Sequence, residues 1–446
     1  MDVRIGIRRE NKNRWERRVP LVPEDLAALQ KDQGLHFVVQ PSDVRIFADD
    51  EYRAAGISVD ERMRGAGIVF GVKEIPTRLL REGMVYVYFG HVVKGQPYNM
   101  GMLARLLELG CSMLDYERIT DADNRRLVFF GRHAGQAGMI ETLRALGLRL
   151  AVMGHRTALA EVKPAYEYRD LADAKSHLRE IGARLVKELP GALRPLVIGV
   201  SGYGNVSAGA QDVLSALPIE SIPVQQLKET ANRRGPTAPA LAKVVFREED
   251  MARPRDASQS FELREYYSHP ERFEGCFAAH LPHLDVLVNA IYWEPRYPRL
   301  VTKEWAREQW ASGVPRLKVI GDISCDIDGS VEMTVKATEP DEPSFVWEAA
   351  TGEVRDGVEG NGPVVMSVDN LPCELSRESS LHFSSVLRTM VPDLAKADWQ
   401  ADFDRLVLPD HLKKALIVHK GKLTPGYAYL EKALADAGEM KQTTER

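Results

Sequence analysis

The sequence predicts an α/β protein of two domains, each organised around a largely parallel sheet. Three observations carry this expectation. Short apolar runs alternate with helix-length segments along most of the chain. Several of these runs stop at a polar residue, as strands do where a parallel sheet opens to a ligand. A glycine-rich turn, Gly202-Tyr203-Gly204, sits between an apolar run and a helical pattern. At 446 residues the chain is long for one hydrophobic core, and two domains are the natural division.

The elements follow in order. Val3–Ile7 alternates like a first strand and leads into a densely charged loop carrying Arg8, Arg9, Glu10, Lys12, Arg14, Glu16, Arg17 and Arg18. Pro23-Glu24-Asp25 opens a helix, with proline in the first turn and acids near the positive end of its dipole. Phe37-Val38-Val39 is a second strand, and helices are expected near 50–55, 99–109 and 133–147. The runs 68–72, 85–90 and 111–114 are further strands. A helix over 171–189 precedes the strand 195–200, the glycine turn, a helix over 208–217 and a strand at 221–224. Residues 230–257 mix prolines and charges and read as an excursion, and 284–289 and 317–322 are strands ending in Asn289 and Asp322. From about 350 only helices are expected, near 377–390 and 427–437, and helices without strands pack back onto an existing sheet. The domains are therefore expected at 1–135 with 350–446, a discontinuous catalytic domain, and at 136–349, a dinucleotide-binding domain.

Composition narrows the function. A hydrophobic fraction of 44% is ordinary for a soluble protein, and a net charge of -5 offers no footprint for nucleic acid or an anionic membrane. Cys111, Cys276, Cys325 and Cys373 are far apart and lack metal-ligand spacing, so reduced thiols and no metal are expected. No signal segment or membrane-length run is present, and a cytoplasmic location is expected.

Three strand ends carry the chemistry. One run ends in Lys73-Glu74, the next in His91, and the third in Asp115-Tyr116-Glu117. Delivered to one sheet edge, a lysine, a histidine and a glutamate form an acid–base constellation. Lysine beside histidine in a cleft lowers the proton affinity of each, which suits proton transfer near neutrality. Arg18 and Arg126 are candidate clamps for substrate carboxylates, because guanidinium pairs bidentately with carboxylate.

Gly202-x-Gly204-x-x-Ser207 follows a strand and opens a helix, the setting that a dinucleotide turn needs. The first glycine makes the tight turn, the second admits the pyrophosphate, and the helix start supplies amide donors. An acid that binds the adenosine ribose usually follows about 20 residues on. Here Pro223-Val224-Gln225-Gln226 holds no carboxylate before Glu229, while Lys228, Arg233 and Arg234 lie near. This favours NADP; a register that brings Glu229 to the ribose would favour NAD.

The chain resembles the lysine–ketoglutarate reductases, which form the N-terminal half of bifunctional aminoadipic semialdehyde synthases and are related to lysine-forming saccharopine dehydrogenases. The resemblance lies in 6–21, Gly71-Val72-Lys73, 91–96, Asn99-Met100-Gly101, 130–135, 202–207, Ile291-Tyr292-Trp293-Glu294, 368–372 and 377–380, in order along almost the whole chain. It implies two Rossmann-like domains with a cleft between them, as in alanine and saccharopine dehydrogenases, and a stand-alone reductase without the saccharopine-oxidising half. It further implies Lys73 and His91 as the acid–base pair, with Glu74, Glu117 and Glu16 tuning them. Arg18, Arg126, Gln96 and Phe130 would hold the dicarboxylic part of the substrate. Gly202, Gly204, Asn205, Val206, Asp322, Ile323 and Ser324 would hold the nucleotide, with Arg125 reaching it from the other domain. The implied reaction is NADPH-dependent condensation of L-lysine with 2-oxoglutarate to saccharopine. Small molecules are then the expected partners, with no nucleic acid and no membrane. The rivals are coupling of another amine or amino acid to 2-oxoglutarate in a specialised pathway, and a regulatory protein that binds nucleotide without turnover.

Overall fold

The structure is a computed structural model that describes residues 4–233, 235 and 237–444. Val3 and Arg234, the latter one of the cations expected near the cofactor, lie outside the described residues. The chain divides into two compact units, residues 1–129 with 376–446, and residues 130–375. The expected boundary at 135 falls inside the helix Gly131–Val152, and that at 350 falls among the strands of the second sheet. No apolar contrast marks either place, because both belong to continuous, well-packed structure.

The first unit holds an eight-stranded sheet. Its order is Lys422–Leu423, Leu416–His419, Ser112–Asp115, Val85–Tyr88, Ala66–Phe70, Arg4–Ile7, His36–Val39 and Ser58–Val59. From Ser112–Asp115 onward the pairs are parallel, so their carboxyl ends share one edge. The strands are buried on both faces, which explains continuous apolar runs in place of alternation. Leu416–His419 joins antiparallel to Ser112–Asp115. The C-terminal segment is thus not purely helical: Leu416-Ile417-Val418 is too short an apolar run to stand out, yet it completes the sheet. The segment also contributes the helix Ser376–Leu387. Ser380 and Ser384 on it accept hydrogen bonds from the backbone N–H groups of Val19 and Val22, each at 3.0 Å, and so brace the charged loop that carries Glu16 and Arg18.

The second unit holds another eight-stranded sheet, in the order Val354–Asp356, Ser344–Trp347, Val364–Met366, Val319–Asp322, Val286–Asn289, Leu196–Ser201, Leu241–Phe246 and Ile219–Ser221. Leu241–Phe246 lies inside the segment expected to be an excursion. Lys243 interrupts its apolar run, but six registered pairs join it to Leu196–Ser201. The helix Gly131–Val152 packs against the helix Asn205–Leu214 at backbone distance. A Cβ on Gly135 would stand 1.9 Å from the Val206 carbonyl oxygen, and one on Gly209 would stand 2.0 Å from that of Arg132.

The same long helix buries Glu141. Its Oε1 accepts from the Ala165 N–H at 2.6 Å, and its carboxyl faces that of buried Glu374. Burial raises both proton affinities, and Glu141 raises that of Glu374 further, while the bond from Glu374 and the Arg144 guanidinium, 4.0 Å from Glu141, offset part of the rise at Glu141. A raised carboxyl pKa favours the folded state at low pH, and that stabilisation is lost as pH rises from the ordinary carboxyl value of 4.5 through the folded value. Urea unfolding of the second unit is therefore expected to weaken by on the order of 2 kcal/mol between about pH 5 and pH 8. In Glu374→Gln the profile should be shallower, since only Glu141 remains to titrate, and an equally steep profile in that variant would remove Glu374 as a cause.

Candidate functional site

Parallel pairing brings the ends of three strands together at one edge of the first sheet. Ala66–Phe70 runs on to Lys73-Glu74, Val85–Tyr88 to His91, and Ser112–Asp115 to Glu117. The His91 ring is about one quarter exposed, and its Nδ1 lies 2.7 Å from Glu74 Oε1. Lys12 Nζ contacts the other oxygen of Glu74 at 2.9 Å. Burial alone would raise the Glu74 pKa, but the bonds from His91 and Lys12 outweigh it and hold the carboxyl at about 2. Glu74 is thus a carboxylate at any working pH and can only accept. His91 Nδ1 must carry the proton, which leaves Nε2 to exchange one.

Lys73, half-buried, precedes Glu74 in this turn. Burial lowers its proton affinity and the Arg18 cation lowers it further, while the Glu16 and Glu74 carboxylates act the other way without cancelling the shift. Arg18 is buried and pairs bidentately with Glu16, through Nε at 2.7 Å and Nη2 at 2.6 Å. The guanidinium edge expected to clamp a substrate carboxylate is thus held by Glu16. Arg126 is half-exposed and donates from Nη2 to Glu117 Oε1 at 2.6 Å. Gln96 caps the helix Pro97–Glu108, and its side-chain oxygen accepts from the Lys94 N–H. Arg125 is exposed and engaged by Asp121 and Asp123 in its own turn. Phe130 stands at the N-cap of the helix Gly131–Val152 and belongs to the second unit.

Two residues with no assigned role turn out to hold the strand-end turns. Glu10, buried, accepts from the N–H groups of Val72 at 2.8 Å and Lys73 at 3.0 Å. Asp115, fully buried, accepts from the N–H groups of Gly90 at 3.1 Å and Glu117 at 2.9 Å. Burial pushes Asp115 up to about 6 despite those two donors. Their only trace in the sequence is position, an acid at or just past a strand end.

In the second unit Gly202 adopts φ +86°, a conformation that glycine alone takes without strain, and Gly204 is the N-cap of Asn205–Leu214. A Cβ on Gly204 would meet nothing within 4 Å, so the space above the helix start, where Asn205 and Val206 present their amides, is open. Asp322 is buried and accepts from Asn289 at 2.8 Å, from Ser324 at 2.7 Å and from Thr334. The side chains of Asp322 and Ser324 are therefore engaged within the unit, and that of Ile323 is buried in its core.

The residues expected to read the ribose are displaced. The strand beside Leu196–Ser201 is Leu241–Phe246, and Ile219–Ser221 lies one strand further out, with Ser221 level with Lys243. Lys228 and Arg233 follow that outer strand, and Glu229 is paired with Arg233 at 2.6 Å. The strand end next to the glycine turn is Phe246, whose carbonyl accepts from Gly202 N–H at 2.9 Å, and Arg247 and Glu248 follow it. The Arg247 guanidinium lies over the Tyr203 ring, 5.0 Å from its centroid. Glu248 Oε1 accepts from the hydroxyls of Tyr267 at 2.5 Å and Tyr203 at 3.4 Å. Tyr203, Glu248 and Tyr267 line a cavity of about 320 Å³ with Gly202, Tyr266 and Trp293. The sequence could have shown this only if the excursion had been recognised as a strand.

Residues 6–137 match the alanine dehydrogenase/PNT N-terminal domain, and residues 238–426 match the alanine dehydrogenase/PNT C-terminal domain. Over 96% of its length the chain is 34% identical to an α-aminoadipic semialdehyde synthase of Arabidopsis thaliana and 33% identical to the mitochondrial α-aminoadipic semialdehyde synthase of Rattus norvegicus. It spans 41% and 47% of those proteins, less than half of each. A saccharopine dehydrogenase [NAD(+), L-lysine-forming] of Neurospora crassa is 28% identical over 89% of the chain and 92% of its own length. Among solved structures, an L-alanine dehydrogenase superposes with a TM-score of 0.58 at 18% identity, covering 98% of this chain and all of that one. A transhydrogenase from Sinorhizobium meliloti gives 0.54 at 16% identity, over 94% and 98%. These two likenesses establish the fold.

Proposed function

The chain is a homologue of the α-aminoadipic semialdehyde synthases built from the two alanine dehydrogenase/PNT domains, and from this premise we propose that it catalyses the reductive condensation of L-lysine with 2-oxoglutarate to saccharopine. The observation that carries the reading is the strand-end constellation: a half-buried lysine of lowered proton affinity next to Glu74, the carboxylate that fixes the tautomer of His91.

Each proton then has a place. Lys73, neutral, takes the proton that the lysine ε-amine releases as it attacks the ketone. The oxyanion formed by that attack takes the proton back from Lys73 to give the carbinolamine; His91 then gives a proton from Nε2 to its oxygen, which leaves as water and yields the protonated imine. Glu74 stays ionised and stabilises the imidazolium before that transfer. A nicotinamide, when bound, supplies hydride to the imine carbon. Arg126, half-exposed, is the cation offered to a substrate carboxylate, and the Arg18–Glu16 pair, neutral as a unit, presents polar donors and acceptors beside it. Fixing both partners lowers the barrier by removing orientational freedom. For the nucleotide, Gly202, Gly204, Asn205 and Val206 offer a fitting cradle: an open helix start and a glycine turn.

NADPH is the proposed reductant, on residues other than those first considered. Arg247 stands at the strand end beside the turn, where a 2′-phosphate would lie, and the Glu248 carboxylate is already satisfied by two tyrosines. Arg247→Ala is expected to raise KM for NADPH about tenfold, with KM for NADH within twofold. If NADH is preferred and Glu248→Gln abolishes that preference, Glu248 binds the ribose hydroxyls and the cofactor is NAD. The test of the reaction itself is NADPH oxidation with 2-oxoglutarate and L-lysine, beside a panel of other amines, with saccharopine identified by mass. Turnover only with another amine would move the protein to a specialised pathway. Nucleotide binding with no turnover would favour a regulatory role.

A further inference from the structure

His91 occupies a backbone region that few residues other than glycine adopt, with φ +48°. Such a conformation persists where its surroundings over-determine it. Here the side chain of Asn99, buried in the first turn of the helix Pro97–Glu108, donates from Nδ2 to the carbonyls of Gly90 and His91, each at 3.1 Å. Asp115 in turn accepts from the Gly90 N–H. Three successive peptide units are thus gripped by three side-chain hydrogen bonds. The Phe89 ring lies nearly parallel to the imidazole, with centroids 6.1 Å apart. Proline at the start of the helix fixes the turn from which Asn99 projects.

We propose that Asn99 is a positioning residue: by donating to both carbonyls of the Gly90-His91 turn it holds His91 in its left-handed conformation and keeps Nδ1 on Glu74. The carboxamide suits this task because its NH₂ group has two donors, one for each carbonyl. A carboxylate of the same shape would set its oxygens against both carbonyls. The catalytic consequence rests on the function proposed above, but the geometric claim does not.

Two readouts keep them apart. In protein labelled with ¹⁵N-histidine, the His91 Nδ1 proton, identified by its loss in His91→Gln, is expected to be sharp and downfield. It should broaden or vanish in Asn99→Ala and in the isosteric Asn99→Asp. In turnover assays both variants should lose about 100-fold in kcat, with KM for the dinucleotide within twofold. In a His91→Gln background, Asn99→Ala should cost no more than about twofold further, since its effect runs through His91. An Nδ1 proton equally sharp in either Asn99 variant, or a full additive loss in the His91→Gln background, would overturn the proposal. Absence of turnover in the unsubstituted protein would count against the proposed reaction, and the Nδ1 proton would still decide the role of Asn99.

Discussion

Lys73→Met is expected to reduce saccharopine formation by about 10³-fold, within the range that a positioned proton-transfer group supplies. Combined with His91→Gln, it should leave only background NADPH oxidation. Dinucleotide affinity, measured by protein fluorescence, should stay within twofold, because the glycine turn belongs to the other unit. The pair acts on successive protons of one reaction, so the double variant should lose less than the product of the single losses. If Lys73→Met retains more than a tenth of the activity, the base lies elsewhere, and Glu117 is then the next residue to test.

The second large effect separates two glycines of one helix, its N-cap Gly204 and its interior Gly209. Gly209→Ala drives a Cβ into the backbone of the facing helix, 2.0 Å from the Arg132 carbonyl oxygen and 3.0 Å from the Gln136 nitrogen. Neither atom is the end of a flexible side chain, so one helix must move. A loss of about 3 kcal/mol in urea unfolding is expected. Gly204→Ala should be the reverse. Its backbone lies at φ -78° and its Cβ would enter open space, so stability should change by less than about 0.5 kcal/mol. That same space is where a pyrophosphate would approach, and dinucleotide affinity should fall at least about tenfold. Equal destabilisation by both substitutions would mean that Gly204 is a packing glycine, and the cradle would have to be sought elsewhere.

The contrast between these glycines also marks what the amino-acid order makes legible. Gly202 and Gly204 could be read because they stand between a strand and a helix, and Lys73, His91 and Glu117 because an apolar run halts just before each. In both cases the signal is local. Gly135 and Gly209 are indistinguishable from other helix residues until two helices distant in sequence are brought together. Glu10, Asp115 and Asn99 act on backbone groups of neighbouring turns, and which turn each one meets depends on strand register. Arg247 and Glu248 escaped notice for another reason. Lys243 broke the apolar run of their strand, and chain order placed Ile219–Ser221 where space places Leu241–Phe246. The boundaries near 129 and 375 lie next to helices, and no shift in composition announces them.

The antiparallel strand Leu416–His419 has a bearing on how the protein is born. Its partner, Ser112–Asp115, is synthesised about 300 residues earlier. Until the ribosome has delivered that late strand, the emerging sheet ends in a bare row of backbone donors and acceptors. The intervening unit, 130–375, is contiguous in the chain and can fold meanwhile. Nascent chains stalled before residue 416 would therefore carry a finished nucleotide-binding half and a sticky, unfinished catalytic half, the species that chaperones have most reason to hold.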